Sequence, residues 1–306
     1  MRQAHMLSFI AVIGATVSGC AGMTQLQDSI TKFDQSAHSV STAEIQYLDN
    51  IRELDCNAQF LNQAVSWSAS ESANFSVNGI CTPAILTDKQ LQVRQNVLDA
   101  ITLYADQMQT LVSSGGSKTL NTNAQQLATN LNTLAKDGKL GLNSSIEAGV
   151  EAGIIGITDM ILDAKRIKDA QSAADKMRDP IHKVVSGLEK ENLLDRDSAK
   201  DQLAAIESGV RVVAAGVPAG NPAGRFAAIM QGRALLQSAN PFWTVADLDS
   251  GATTLPDVGK LNLSLEAISK ANDAIATKKT SDIVAAVSDL VARAEAAQSL
   301  EAALAK

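Results

Sequence analysis

Aromatic residues make up only 3% of this 306-residue chain. Ala, Leu, Ile and Val dominate instead, a composition that suits helix packing better than sheets. Histidine is as scarce: of the three, only His38 and His182 lie beyond the first twenty residues. Neither stands in a Glu-x-x-His or His-Glu-x-x-His spacing, so di-iron and zinc-protease helices find no support, and each reads as a lone surface histidine. No serine sits in Gly-x-Ser-x-Gly, and no phosphate-loop lysine pattern occurs. Basic residues are outnumbered, 26 Lys+Arg against 33 Asp+Glu for a net charge of −7. A nucleic-acid partner needs a basic surface, so that class is excluded.

The first twenty residues carry the strongest signal present. Arg2 supplies one positive charge, and the twelve residues Met6 to Val17 contain none. The run ends in Val17-Ser18-Gly19-Cys20. It is too short for a membrane span, which takes roughly 20 apolar residues. An ordinary secretory signal would favour an Ala-x-Ala-like site, and Ala11 and Ala15 are not placed to give one. The stretch resembles a bacterial lipoprotein signal peptide with its lipobox. That resemblance implies cleavage before Cys20, diacylglycerol on the Cys20 thiol and acylation of its amine. It also implies attachment to the lipid bilayer through the acyl chains, two or more of which hold a protein firmly where one holds it marginally. In Gram-negative lipoproteins an aspartate after the cysteine signals inner-membrane retention, so Ala21 implies the outer membrane, periplasmic face. The chain then divides into a signal peptide, 1–19, and a mature region, 20–306, with a sub-boundary near 137–144. Cleavage removes Arg2 and no acid, leaving 25 basic against 33 acidic residues and a mature net charge of −8.

With Cys20 lipidated, Cys56 and Cys81 remain as a pair. In an exported protein such a pair reads as a disulfide, worth on the order of 3 kcal/mol for a loop of this size. A two-cysteine metal site is the alternative, but no histidine lies near either.

Along the mature chain, apolar residues recur at helical spacing. Ile30, Phe33, Ala37, Val40, Leu48, Ile51, Ala58, Leu61 and Val65 predict one helix over about 24–68, or two that meet near residues 40–42. A polar connector over 69–86 contains Asn78-Gly79 and Pro83. Thr87-Asp88-Lys89-Gln90 has capping-box spacing and opens a helix carrying Leu91, Leu98, Ile101, Ala105, Met108 and Val112. A short helix is expected over 121–136. A glycine-rich one, with Gly149, Gly153 and Gly156, runs from Ile146 to about Arg178. Asp179-Pro180 predicts a new helix or a kink at Pro180. The charged run Glu189 to Asp197 interrupts the stripe, with a restart expected at Asp197-Ser198. A loop over 216–224, a short helix over 225–238 and a connector over 239–256 follow. Two last helices occupy about 257–277 and 281–305. The fold class is all-α: an elongated, mostly antiparallel bundle of long helices with coiled-coil character.

Three functions fit these observations. The first is a non-enzymatic helical scaffold or interaction module, tethered by Cys20, with other envelope proteins or cell-wall components as partners and no cofactor. The second is a membrane-active protein inserting segment 146–162, against which Glu147, Glu151 and Asp159 each weigh ~2.5 kcal/mol or more near a bilayer centre. The third is a carboxylate-metal enzyme built on the i,i+4 pairs Glu147–Glu151 and Asp159–Asp163. Such pairs are more often a solvated helix edge, and no catalytic residue is assigned. Asp247 and Asp249 begin like a calcium loop but lack its closing glutamate.

Overall fold

The computed structural model describes residues 4–70, 81–112, 170–216, 258–277 and 279–304, with isolated positions between 221 and 230. Side chains are described from residue 24, apart from some positions near helix ends. Within these residues the chain forms five helices and no strand: α1 (Ala4–Ser70), α2 (Asp88–Val112), α3 (Ala170–Ala215), α4 (Val258–Thr277) and α5 (Thr280–Leu304). The fold is all-α. The expected helices over 121–136 and 146–169, the loop over 217–220 and the connector over 239–256 lie outside the described residues. So does most of the expected helix over 225–238.

The apolar spacing in the sequence accounts for each helix. Ile30, Phe33, Ala37, Val40, Leu48, Ile51 and Ala58 of α1 are wholly buried. No second helix starts near residues 40–42, because Val40, Ala43 and Tyr47 continue one buried stripe. α2 opens on the expected capping box. Gln90 N donates to Thr87 Oγ1 (3.3 Å) while Thr87 N donates to Gln90 Oε1 (2.9 Å), so two donors that a helix start leaves unpaired are satisfied reciprocally.

The core falls into two apolar segments stacked along the bundle. One gathers residues 30–40 of α1, 93–108 of α2, 170–188 of α3, 265–276 of α4 and 283–294 of α5. The other gathers 43–58 of α1, Leu91 of α2, 199–206 of α3, Val258 and Leu261 of α4, and Ala297 of α5. Read along each helix, this order alternates direction from one helix to the next, so α1, α3 and α5 run one way and α2 and α4 the other. α1 touches all four partners, and α3, α4 and α5 pack side by side. Phe33 meets Tyr104 edge to face, ring centroids 6.3 Å apart at 83°, tying α1 to α2.

Two expectations about α3 are corrected. Of the two alternatives at Asp179-Pro180, a new helix or a kink, the new helix is ruled out: α3 runs through Pro180 without ending. Proline there cannot donate to the carbonyl four residues back and costs ~3 kcal/mol in a helix interior. Burial of Met177, Ile181, Val184 and Val185 on both sides offsets that cost. Nor does the helix restart at Asp197-Ser198. The charged run stays helical because three of its polar side chains, Glu191, Asn192 and Asp195, point into the bundle.

Cys56 and Cys81 form the expected disulfide, Cα–Cα 5.3 Å. It fastens the segment entering α2 to α1, and two polar groups of α1 assist. The buried Asp55 carboxylate accepts from the Ala84 and Ile85 amides, and Gln59 Nε2 donates to the Thr82 carbonyl (2.9 Å). Replacing both cysteines by serine is expected to lower the unfolding free energy by about 3 kcal/mol. Urea denaturation of the variant beside the oxidised parent checks this, and coincident midpoints would contradict it.

Candidate functional site

Polar side chains converge at the seam between the two apolar segments. Glu44 comes from α1, Arg94 from α2, Glu191, Asn192 and Asp195 from α3, and Asn262 from α4. All but Asn262 are at least nine-tenths buried. Arg94 donates from Nη2 to Glu191 Oε2 (2.8 Å) and from Nη1 to Asp195 Oδ2. Asn192 Nδ2 reaches Glu44 Oε2 (3.2 Å) and Asn262 Oδ1 (3.0 Å), and Asn262 Nδ2 donates to the Glu189 carbonyl (3.2 Å). The Tyr47 hydroxyl donates to the Asn192 carbonyl (3.3 Å).

Charge decides the protonation here. One buried guanidinium faces three buried carboxyl groups, and its hydrogen bonds go to Glu191 and Asp195. Burial therefore pushes the Glu44 carboxyl up to about 8, opposed only in part by the Asn192 hydrogen bond and the more distant Arg94 charge. Burial also raises Asp195, although its contact with Arg94 works the other way. Glu44 is thus largely a neutral acid at pH 7, held where water does not reach. Glu44, Arg94, Asn192 and Asp195 are closed off from solvent, and the layer joins α1, α2, α3 and α4 through directional contacts.

The two histidines are exposed, as expected, but not alone. His38 Nε2 lies 3.1 Å from Asp106 Oδ1 of α2 and 3.7 Å from Asp34 Oδ1 one turn earlier on α1. Asp34 is buried, and burial together with the Asp106 charge pushes its carboxyl up to about 6. His182 on α3 bridges two residues of α4: its Nδ1 lies 2.8 Å from Ser269 Oγ, and its Nε2 lies 2.8 Å from Asp273 Oδ2. This has the residue types of a serine–histidine–aspartate triad but not its chemistry. Ser269 is only 2% exposed, so no substrate carbonyl can reach its oxygen. It also sits mid-helix, where the backbone amides that would build an oxyanion hole are already bonded within the helix. The cluster is a polar staple between α3 and α4.

Cys20 falls within the span of α1, but its side chain lies outside the described residues, as do Glu147, Glu151, Asp159, Asp163, Asp247 and Asp249. Sequence reasoning missed the seam and the His38 cluster. The Asp34-x-x-x-His38 spacing was visible as an i,i+4 pair, whereas Asp106 and the Arg94–Asp195 contact join residues far apart in sequence. No protein-family model, characterised protein or solved structure matches the chain.

Two predictions follow from the seam. Arg94→Ala strands Glu191 and Asp195 and is expected to cost about 3–5 kcal/mol, whereas a compensated apolar replacement of Arg94, Glu191 and Asp195 together costs less; chemical denaturation distinguishes them. Glu44 binds its proton more tightly folded than unfolded. Its contribution therefore favours the folded state below about 4.5 and declines as pH rises to about 8, by at most ~1.4 kcal/mol per pH unit. Glu44→Gln keeps an acceptor for Asn192 and should flatten the stability profile between pH 5 and 8. An unchanged slope would contradict the assignment.

Proposed function

We propose that this protein is a lipid-anchored envelope lipoprotein whose mature region serves as a non-enzymatic helical scaffold or interaction module. The observation that carries the reading is Val17-Ser18-Gly19-Cys20 at the end of a charge-free run behind Arg2. The disulfide is in keeping with an oxidising compartment such as the periplasm. No described helix is long and apolar enough to cross a membrane; on this reading attachment rests on the acyl chains of Cys20.

Anchoring also constrains how the bundle works. The buried stripe of α1 begins at Ser29 and Ile30, about ten residues beyond Cys20. A helix of that length rises about 15 Å, so a bundle tethered at Cys20 works close against its bilayer. Its partners are then other envelope proteins or cell-wall components within that distance.

Fractionation of cells expressing the full chain or Cys20→Ser tests the proposal. The expected result is an acylated, membrane-bound parent whose N-terminal peptide begins at modified Cys20, and a variant that accumulates uncleaved and unacylated. A parent with a free Cys20 thiol and an intact N-terminus would overturn it.

A further inference from the structure

We propose that Asp34, His38 and Asp106 form a site for one divalent transition-metal ion, zinc being the best match, that bridges α1 and α2. The three side chains each offer one ligand atom, and these atoms all lie within 4.8 Å of one another. Zinc bonds of about 2.1 Å in tetrahedral array put neighbouring ligand atoms about 3.4 Å apart. The distances from His38 Nε2, 3.1 Å to Asp106 Oδ1 and 3.7 Å to Asp34 Oδ1, bracket that edge.

Three acidic or imidazole groups near one another are common on protein surfaces. What sets this cluster apart is Asp34: the residue is 7% exposed, its Oδ1 accepts from no N–H or O–H donor, and its carboxyl stands against that of Asp106, so the two acids share either a proton or a cation. A buried carboxylate oxygen without a donor is costly, and His38 Nε2, at 3.7 Å, is beyond hydrogen-bond distance. An ion between the three groups would satisfy it. Two carboxylates and a neutral imidazole carry the −2 charge that a dication neutralises, and one nitrogen with two oxygens suits zinc rather than calcium or magnesium.

Access and mechanical sense agree with this. The His38 and Asp106 side chains are 50% and 39% exposed, so an ion enters from solvent and keeps its fourth position for water. The Cys56–Cys81 bond and the Arg52–Asp88 ion pair hold one end of the α1–α2 pair. His38 and Asp106 lie toward the other end, where a metal would tie the same two helices a second time.

The test is calorimetric titration of the full-length chain, stripped with chelator and dialysed, with zinc chloride. The parent is expected to bind one ion. His38→Gln and Asp106→Asn, both at solvent-facing positions and both checked for unchanged helicity, should bind at least tenfold more weakly. Cobalt chloride should give the visible absorption of a four- or five-coordinate ion in the parent and lose it in both variants. His182→Gln, which removes the other His–Asp contact, should leave zinc affinity unchanged. The proposal is overturned if the parent binds no zinc, leaving an ion pair with a shared proton only, or if His182→Gln rather than His38→Gln abolishes binding.

Discussion

A single buried guanidinium governs the interior of this bundle. Arg94 reaches from α2 to two carboxylates of α3 at the plane where the apolar core divides. Apolar packing alone is non-directional, and helices with long aliphatic stripes can slide by a turn at little cost. A hydrogen-bonded layer removes that freedom, because a slip strands charges in a medium that cannot solvate them. Asn192 extends the constraint to α1 and α4 by bonding Glu44 and Asn262. The same layer fixes the protonation of Glu44, since two of the three carboxyl groups occupy the only buried cation among the described residues.

The remaining polar contacts work as staples between neighbouring helices. The disulfide and Asp55 tie the entry of α2 to α1, and His182 ties α3 to α4. Tyr104 donates to Asn272, which in turn donates to the Ala174 carbonyl (3.1 Å), joining α2, α4 and α3 within the first apolar segment. Each of α1, α2, α3 and α4 is thereby fixed to a neighbour by a directional contact as well as by burial. A scaffold held close to a membrane by an anchor at Cys20 would gain from such rigidity, because its surface then presents a constant shape to a partner.

Much of the fold was legible because helix periodicity is a local property. The α1 stripe from Ile30 to Ala58, the Thr87–Gln90 capping box and the limits of α4 and α5 needed only neighbours within a turn or two. The Cys56–Cys81 pair followed from counting. Pro180 and the run from Glu189 to Asp197 misled for one shared reason. Their local preferences favour a break, and tertiary burial overrode them: Met177 and Ile181 are buried on either side of the proline, while Arg94 and Asn262 take up the charge and amide of the run. No local pattern announces Arg94 as the partner of Asp195, or Asp106 as the partner of His38, since each pairing exists only once α2 lies beside another helix.

The most direct test of this account is the ionisation of Glu44 itself. Carbon-13 NMR of carboxyl-labelled glutamate, with the Glu44 signal assigned by its loss in Glu44→Gln, follows that one group through a pH titration of the folded chain. The account predicts a midpoint near 8, the value set by burial beside an already committed guanidinium. A midpoint below 5 would mean that Glu44 is ionised at neutral pH despite its burial, and would contradict it.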